Sequence, residues 1–299
     1  MLQATIGPNS RRDHTWNPME RWLLISNCQT AGLATSIQLL NRGLSVLAVD
    51  IWHYLADQPK WDAMIQDCTR VVLAPEVEHM IEGRLPDVPL LTRLPALTFS
   101  AYHPDLCYID GQSGTVVGPL GNYHSMIAFS GYKSGLSAND TISLFNAKIY
   151  EQCGYFDYWG LEKQRIIALF KHHGIDIESS FVHWGRHGSF MHSSDHPKIQ
   201  TIYEIARCFL ISQNIEIQVS EFRPIDGLVN GPCWPVYPEL GEFLGVEGSY
   251  NFKRNLVFNQ ISLAEFVSES YATYEQLDPA FLVPMNSYQA LHEHVSGLI

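Results

Sequence analysis

The stretch from Arg21 to Asp50 admits few folds. Trp22 to Ile25 is a short apolar run that stops at Ser26-Asn27-Cys28-Gln29, and from Ala31 apolar residues recur at helical spacing through Leu33, Ala34, Ile37 and Leu40. Gly43 supplies a helix stop, and Leu44 to Val49 is a second unbroken apolar run of strand length that closes on Asp50. The spacing predicts a βαβ crossover, two parallel strands joined by a helix, with Cys28 at the strand-to-helix turn.

That position has chemical consequences. Backbone N–H groups at a helix N-terminus lack intrahelical partners and carry partial positive charge, so they favour an anion in front of them. A thiol held there is expected to lose its proton more easily. In an open α/β sheet, ligands also gather at the carboxyl ends of the strands. Both arguments mark Cys28 as a candidate reactive group; the alternative is a small apolar cysteine packed in a turn.

The chain's 299 residues, 46% of them hydrophobic, suffice for a large core. A formal net charge of -12 disfavours nucleic acid or an anionic membrane as partner, because both require a surplus of Lys and Arg. No apolar run reaches membrane-spanning length and the first twenty or so residues lack the apolar segment of a secretion signal, so the expected location is cytoplasmic. The cysteines show no Cys-x-x-Cys pairing, and the histidines from His172 to His196 match no ligand spacing, so neither a disulfide framework nor a metal is expected.

Along the chain, residues 1–20 read as an extended lead-in. Trp52 to Cys68 reads as helix, Val71 to Ala74 as a third strand, and Leu97 to Ser100 as a fourth that delivers Tyr102-His103-Pro104-Asp105 to its end. Pro86, Pro89 and Pro95 interrupt the regular alternation. Helices are expected from Tyr123 to about Gly135, Ser137 to Tyr150, Leu161 to His173, His196-Pro197 onward with proline at the first helical position, and Leu263 to Tyr274; Phe181 to Met191 reads as irregular. The expected fold is α/β: one domain over 21–299 with an N-terminal parallel-sheet (βαβ, Rossmann- or SGNH-like) core over about 21–110 and a helix-rich remainder over about 123–299.

Asn27-Cys28-Gln29 after the first strand, Tyr102-His103-Pro104-Asp105, Tyr123-His124-Ser125, Gly135-Leu136-Ser137, Gly154-Tyr155-Phe156 and Met191-His192 through His196-Pro197 occur in one order over about 170 residues. In combination they resemble the WcbI-like acetyltransferases of capsular polysaccharide biosynthesis, although Ser26 stands where that family usually has glycine. The resemblance implies binding of coenzyme A or acetyl-coenzyme A as acyl donor and O-acetylation of a sugar or polysaccharide precursor. Acyl transfer then needs a nucleophile or base-activated hydroxyl, a general base and donors for the developing oxyanion. Cys28 is the candidate nucleophile or thioester-positioning group, Asn27 with the N–H groups near Gln29 the oxyanion site, and His196 and His124 the candidate bases ahead of His103. Gln29, His103, Tyr123, Ser125, Lys133 and Lys198 are candidate cofactor contacts, with Arg21, Arg42 and Arg186 as further phosphate partners. Two other readings share these residues: an SGNH-like esterase with Cys28 in the serine position, and a non-catalytic coenzyme A-binding partner in the pathway. A Rossmann dinucleotide site, suggested by Asp50 closing the second strand, lacks the glycine fingerprint between Ser26 and Gly32.

Overall fold

A computed structural model describes residues 19–81, 85, 87–88, 90–218 and 220–299, with His187 described by its backbone alone. Most of the expected lead-in, together with Pro86 and Pro89, lies outside the described residues. The opening unit forms as β1 (Glu20–Ser26), α1 (Thr30–Leu40) and β2 (Leu44–Asp50), with β1 and β2 parallel and in register from Glu20 opposite Leu44 to Ser26 opposite Asp50. Two short helices, α2 (Ile51–Ala56) and α3 (Gln58–Ile65), replace the single helix expected there, and β3 (Arg70–Leu73) then pairs on the other side of β1. After α4 (Pro75–Ile81), β4 (Leu91–Arg93) completes an all-parallel sheet of order β2-β1-β3-β4.

Residues of β1 alternate between two cores, as strand geometry requires. Trp22 and Leu24 pack with Leu33 and Ile37 of α1 in the larger core, whereas Leu23 and Ile25 pack with Ile51, Tyr54 and Ile65 beneath the opposite face. The strand order reverses beside β1, and its carboxyl end is therefore the switch point at which such sheets bind ligands.

The expected strand at Leu97 to Ser100 does not form; β4 lies upstream of it. Partners other than a neighbouring strand satisfy this backbone. Glu76 accepts from Ala96 N–H (3.2 Å), Gln29 brackets Leu97, Glu162 accepts from Ser100 N–H (2.9 Å), and Phe99 N–H donates to Ser194 O (2.7 Å).

The remainder is mainly helical: α5 (Met126–Lys133), α6 (Ala138–Ile142), α7 (Ala147–Gln152), α8 (Tyr158–His172), α9 (Glu178–Trp184), α10 (Ile199–Ser212), α11 (Pro238–Leu244), α12 (Leu263–Tyr274) and α13 (Gln289–Ser296). The apolar stripe of α10 is buried at Ile202, Tyr203, Ala206, Phe209 and Leu210, and α12 keeps its expected bounds, closed by a reciprocal Ser262–Glu265 capping box. Four expectations change. The helix expected from Tyr123 begins at Met126, because Ser125 is its cap and His124–Ser125 pair as a short strand with Leu106–Cys107. The helix expected over Ser137 to Tyr150 divides into α6 and α7, which have separate side-chain caps at Ser137 and Asn146. Residues 181–184 are helical within α9. Pro197 precedes α10 instead of opening it: Lys198 is the cap residue, and Met191 and Pro197 bridge across a tight loop. Among the described residues no helix is long and apolar enough to cross a membrane.

Candidate functional site at the end of the first strand

The turn after β1 closes without glycine because Asn27 holds it. Its Oδ1 accepts the Gln29 N–H (3.0 Å), and its backbone carbonyl accepts the N–H and hydroxyl of Thr30 (3.1 and 2.6 Å). Two of the N–H groups expected to form an oxyanion site are therefore bonded within the turn, and Asn27 Nδ2 is the donor its side chain retains. Cys28, partly exposed, lines a groove of about 540 Å³ bounded by α1, the start of α10 and the 222–228 loop. Gly32 makes this groove possible: a Cβ there would lie 3.2–3.3 Å from methyl groups of Ile199 and Ile202, so its absence lets α1 and α10 approach closely.

The electrostatics of Cys28 reverse the sequence expectation. Burial, followed by the negative charges of Asp195 and, less strongly, Asp50, pushes its pKa up to about 12, despite a favourable bond from its own backbone N–H. The thiol is protonated at neutral pH, short of full ionisation by about 10⁵-fold. Peptide-resolved iodoacetamide labelling should accordingly be slow at pH 7 and accelerate about tenfold per pH unit up to pH 9. A plateau below pH 8, or labelling faster than a free thiol, would show an activated thiolate instead.

Gln29 is a structural clamp. Its Nε2 donates to Leu97 O (2.7 Å) and Asp195 O (3.0 Å), while its Oε1 accepts from Leu97 N–H (3.0 Å). It is buried, and its amide faces protein instead of a ligand. The clamp fixes the 192–198 loop against the sheet edge and presents Asp195. Tyr108 donates to Asp195 Oδ2 (2.8 Å), and Tyr123 and Ser193 (2.8 Å) donate to Oδ1. Burial and the neighbouring carboxylate keep both tyrosines protonated.

His196 follows directly. Its Nε2 lies 3.5 Å from the Tyr123 oxygen, whose own proton is committed to Asp195; Nε2–H is therefore the donor, and the lone pair resides on Nδ1. Nδ1 is buried and makes no hydrogen bond to the described residues. Burial lowers the His196 pKa, while Asp195 opposes that shift by favouring the imidazolium. Gly231 leaves room for the ring: an added Cβ would approach Cε1 to 2.9 Å.

The other candidates separate from this centre. His124 is fully buried between the Tyr274 hydroxyl (2.9 Å) and Val116 O (3.0 Å), with its pKa lowered by burial to about 4, and is a core residue instead of a base. Ser125 caps α5 by accepting the Ala128 N–H (3.0 Å). Lys133 donates to the carbonyls of Pro279 (2.9 Å) and Leu282 (3.3 Å), which ties α5 to the C-terminal segment. Arg21 pairs with Asp67 at 3.7 Å and, with Arg42, belongs to the amino edge of the sheet, the wrong end for a ligand beside Cys28. Arg186 is exposed in the turn after α9. Asp50 caps α2 through His53 N–H (2.9 Å) and lacks the role of a ribose ligand. His103 and Lys198 line a second pocket that does not include Cys28.

The turn at the strand end thus sets a thiol in a mostly apolar groove, with the Asp195 charge acting on both that thiol and His196. Residues 21–216 match the model of a protein family described as the polysaccharide biosynthesis enzyme WcbI. The chain belongs to the WcbI family. A solved structure of WcbI, a novel polysaccharide biosynthesis enzyme, superposes with a TM-score of 0.62 at 12% identity, covering 93% of this chain and 95% of that one. That structure is of native WcbI without a disulfide bond between coenzyme A and one of its cysteines. At this identity the likeness shows the fold. Among curated proteins none matches significantly in sequence.

Within the WcbI fold of this chain, three groups at the site escape sequence reasoning. Asp195 adjoins His196 in sequence, and a carboxylate beside a candidate base was the available signal. Arg223, held over the Tyr203 ring at 3.9 Å and by Gln200 Oε1 at 3.0 Å, brings a guanidinium to the groove. Asp226 accepts from His192 Nε2 (2.9 Å) and from Ile199 N–H at the start of α10 (3.1 Å). These last two arise in a loop with no periodicity to mark it.

Proposed function

We propose that this chain transfers an acetyl group from acetyl-coenzyme A to a sugar hydroxyl in polysaccharide biosynthesis, with the Cys28 groove as the thioester site and His196 as general base. The observation that carries this reading is the placement of Cys28 at the carboxyl edge of β1 in a groove whose walls are mostly apolar and also hold the Arg223 guanidinium and the Asp226 carboxylate, with the Asp195 charge acting on both Cys28 and His196. Coenzyme A suits such a groove: the aliphatic segments of its pantetheine arm can lie on apolar walls, and its phosphates can meet the Arg223 guanidinium. The solved WcbI structure is described by the absence of a disulfide between coenzyme A and one of its cysteines, and this pairing of coenzyme A with a cysteine supports Cys28 as the residue beside the thioester sulfur.

The protonation states favour direct transfer over an acyl-cysteine route. A thiol about 10⁵-fold short of ionisation at pH 7 is a poor nucleophile, whereas burial keeps His196 neutral and its Nδ1 has no partner among the described residues. In the direct route, His196 Nδ1 takes the acceptor hydroxyl proton as the oxygen attacks the thioester carbonyl. The carbon–sulfur bond then breaks, and the departing coenzyme A sulfur recovers the proton from the imidazolium, which the Asp195 charge stabilises in the interval. Asn27 Nδ2 is the side-chain donor nearest the turn for the developing oxyanion.

Coenzyme A at about a hundred times its dissociation constant should add roughly 2.7 kcal/mol of stability. Thr35→Trp, at an exposed α1 position lining the groove, should remove that thermal shift while leaving the unliganded melting temperature nearly unchanged. An undiminished shift in Thr35→Trp, or none in the wild type at millimolar ligand, would refute the assignment.

A further inference from the structure

On the far side of the His192–Asp226 pair lies a second pocket of about 360 Å³, which shares no lining residue with the Cys28 groove. Its walls hold polar groups that the protein leaves unsatisfied. His103 is only 1% exposed, and neither ring nitrogen has a hydrogen-bond partner among the described residues. The Trp234 backbone favours its charged form slightly without reaching hydrogen-bond geometry. Trp234, 3% exposed with its ring edge-on to Phe252 and Phe266, also has an indole N–H without an acceptor. Lys198 reaches the same pocket, and its ammonium makes no ion pair or hydrogen bond to the described residues, although the Asp226 charge favours its charged form. Glu247, the acidic residue of the lining, is solvent-exposed.

Unsatisfied buried donors and acceptors are costly, and folded proteins seldom retain several in one place without a ligand to meet them. A sugar ring meets this set, since its hydroxyls both donate and accept, and an acidic substituent on the sugar would answer Lys198. Asp195 links the two pockets: its charge acts on Cys28 and His196 on one side and on His103 on the other. We propose that this pocket binds the acyl acceptor, and that the acceptor is an anionic sugar, bearing a carboxylate or a phosphate, whose charge is read by Lys198 and whose hydroxyls are read by His103 and Trp234. The assignment as acceptor rests on the acyl-transfer reading above; the assignment as an acidic-sugar site rests on the pocket itself.

The test titrates the full-length chain separately with glucuronate, galacturonate, glucose 1-phosphate, uncharged glucose and coenzyme A, following binding by NMR. At least one acidic sugar should bind at least tenfold more tightly than glucose, and the order of the uronates and the phosphate identifies the acidic group. Lys198→Met should remove that preference while changing coenzyme A affinity less than twofold. His103→Leu should weaken sugar binding at least tenfold and yet raise the melting temperature, a combination that a purely structural histidine would not produce. The proposal is overturned if no acidic sugar binds, if glucose binds equally well, or if Lys198→Met weakens coenzyme A and spares the sugar. Failure of coenzyme A to bind while the acidic sugar binds as expected would instead refute the acyl-transfer reading and leave the pocket assignment intact.

Discussion

His196→Ala is expected to lower acyl transfer by about 10²–10⁴-fold, the range for removal of a general base, with coenzyme A binding little changed. His196 combines a ring nitrogen that has no partner among the described residues with adjacency to Asp195, whose charge also acts on Cys28. The pH dependence supplies an independent check. A base works when deprotonated, and burial lowers the His196 pKa, so kcat/KM should remain level as pH falls through the ordinary imidazole range and decline only below it. Cys28→Ala should cost about tenfold or less on the direct route, because it removes a neighbour of the thioester and not a bond-forming atom. Stopping the reaction with acid in the presence of acetyl-coenzyme A should trap no acetylated Cys28. A loss beyond about 10³-fold in Cys28→Ala, together with a trapped acetyl-cysteine, would establish the covalent route.

Asp105→Ala is expected to destabilise the fold by about 3–5 kcal/mol, near the upper end for single substitutions. Asp105 is completely buried and accepts from the Tyr155 hydroxyl (3.0 Å), the Tyr237 hydroxyl (2.7 Å) and Ile127 N–H (2.9 Å). Truncation leaves all three donors unpaired in the core that supports α5 and the site, so urea melts should show a lower midpoint with an unchanged slope. Asp105→Asn should be milder, because its amide oxygen continues to accept.

The same residue makes a pH prediction. Burial outweighs the bonds to Ser125, Tyr237, Ile127 and Tyr155 and raises the Asp105 pKa in the folded state. Folding therefore favours the protonated acid, a contribution present in full below the unfolded pKa and lost as pH rises through the raised one. The stability of wild type relative to Asp105→Asn should increase as pH is lowered from neutral toward the ordinary carboxylate range. The comparison with Asp105→Asn cancels the opposite trend of the buried His103 and His124, whose lowered pKa values cost stability on acidification in both proteins. A difference that stays invariant from neutral pH down to the ordinary carboxylate range would contradict the raised pKa.

Local pattern was sufficient for the elements whose residues carry their own instructions. The runs Trp22 to Ile25 and Leu44 to Val49 are apolar because a parallel strand is covered on both faces, and α10 and α12 display their buried stripes at helical spacing. Cys28 was legible for the same reason, since the end of an apolar run followed by a helical repeat fixes where the turn must lie. Leu97 to Ser100 misled because its apolar residues serve a core, while its backbone partners come from Gln29, Glu76, Glu162 and the loop carrying Ser194. No property of those four residues alone distinguishes that arrangement from a strand.

The βαβ opening, the position of Cys28 and the ordered motif set of the family are encoded in neighbouring residues and could be read directly from them. The chemistry of the site depends on contacts between residues far apart in the chain. The thiol is held protonated first by burial and then by the charge of Asp195, which lies 167 positions further along the chain and is brought close by the Gln29 clamp. His124 is a core residue because Tyr274 and Val116 close around it, and His196 has a free nitrogen because Tyr123 is committed to Asp195. A pKa and an unpaired lone pair depend on charge and solvent within a few ångströms, and chain folding, not sequence proximity, selects which residues occupy that volume.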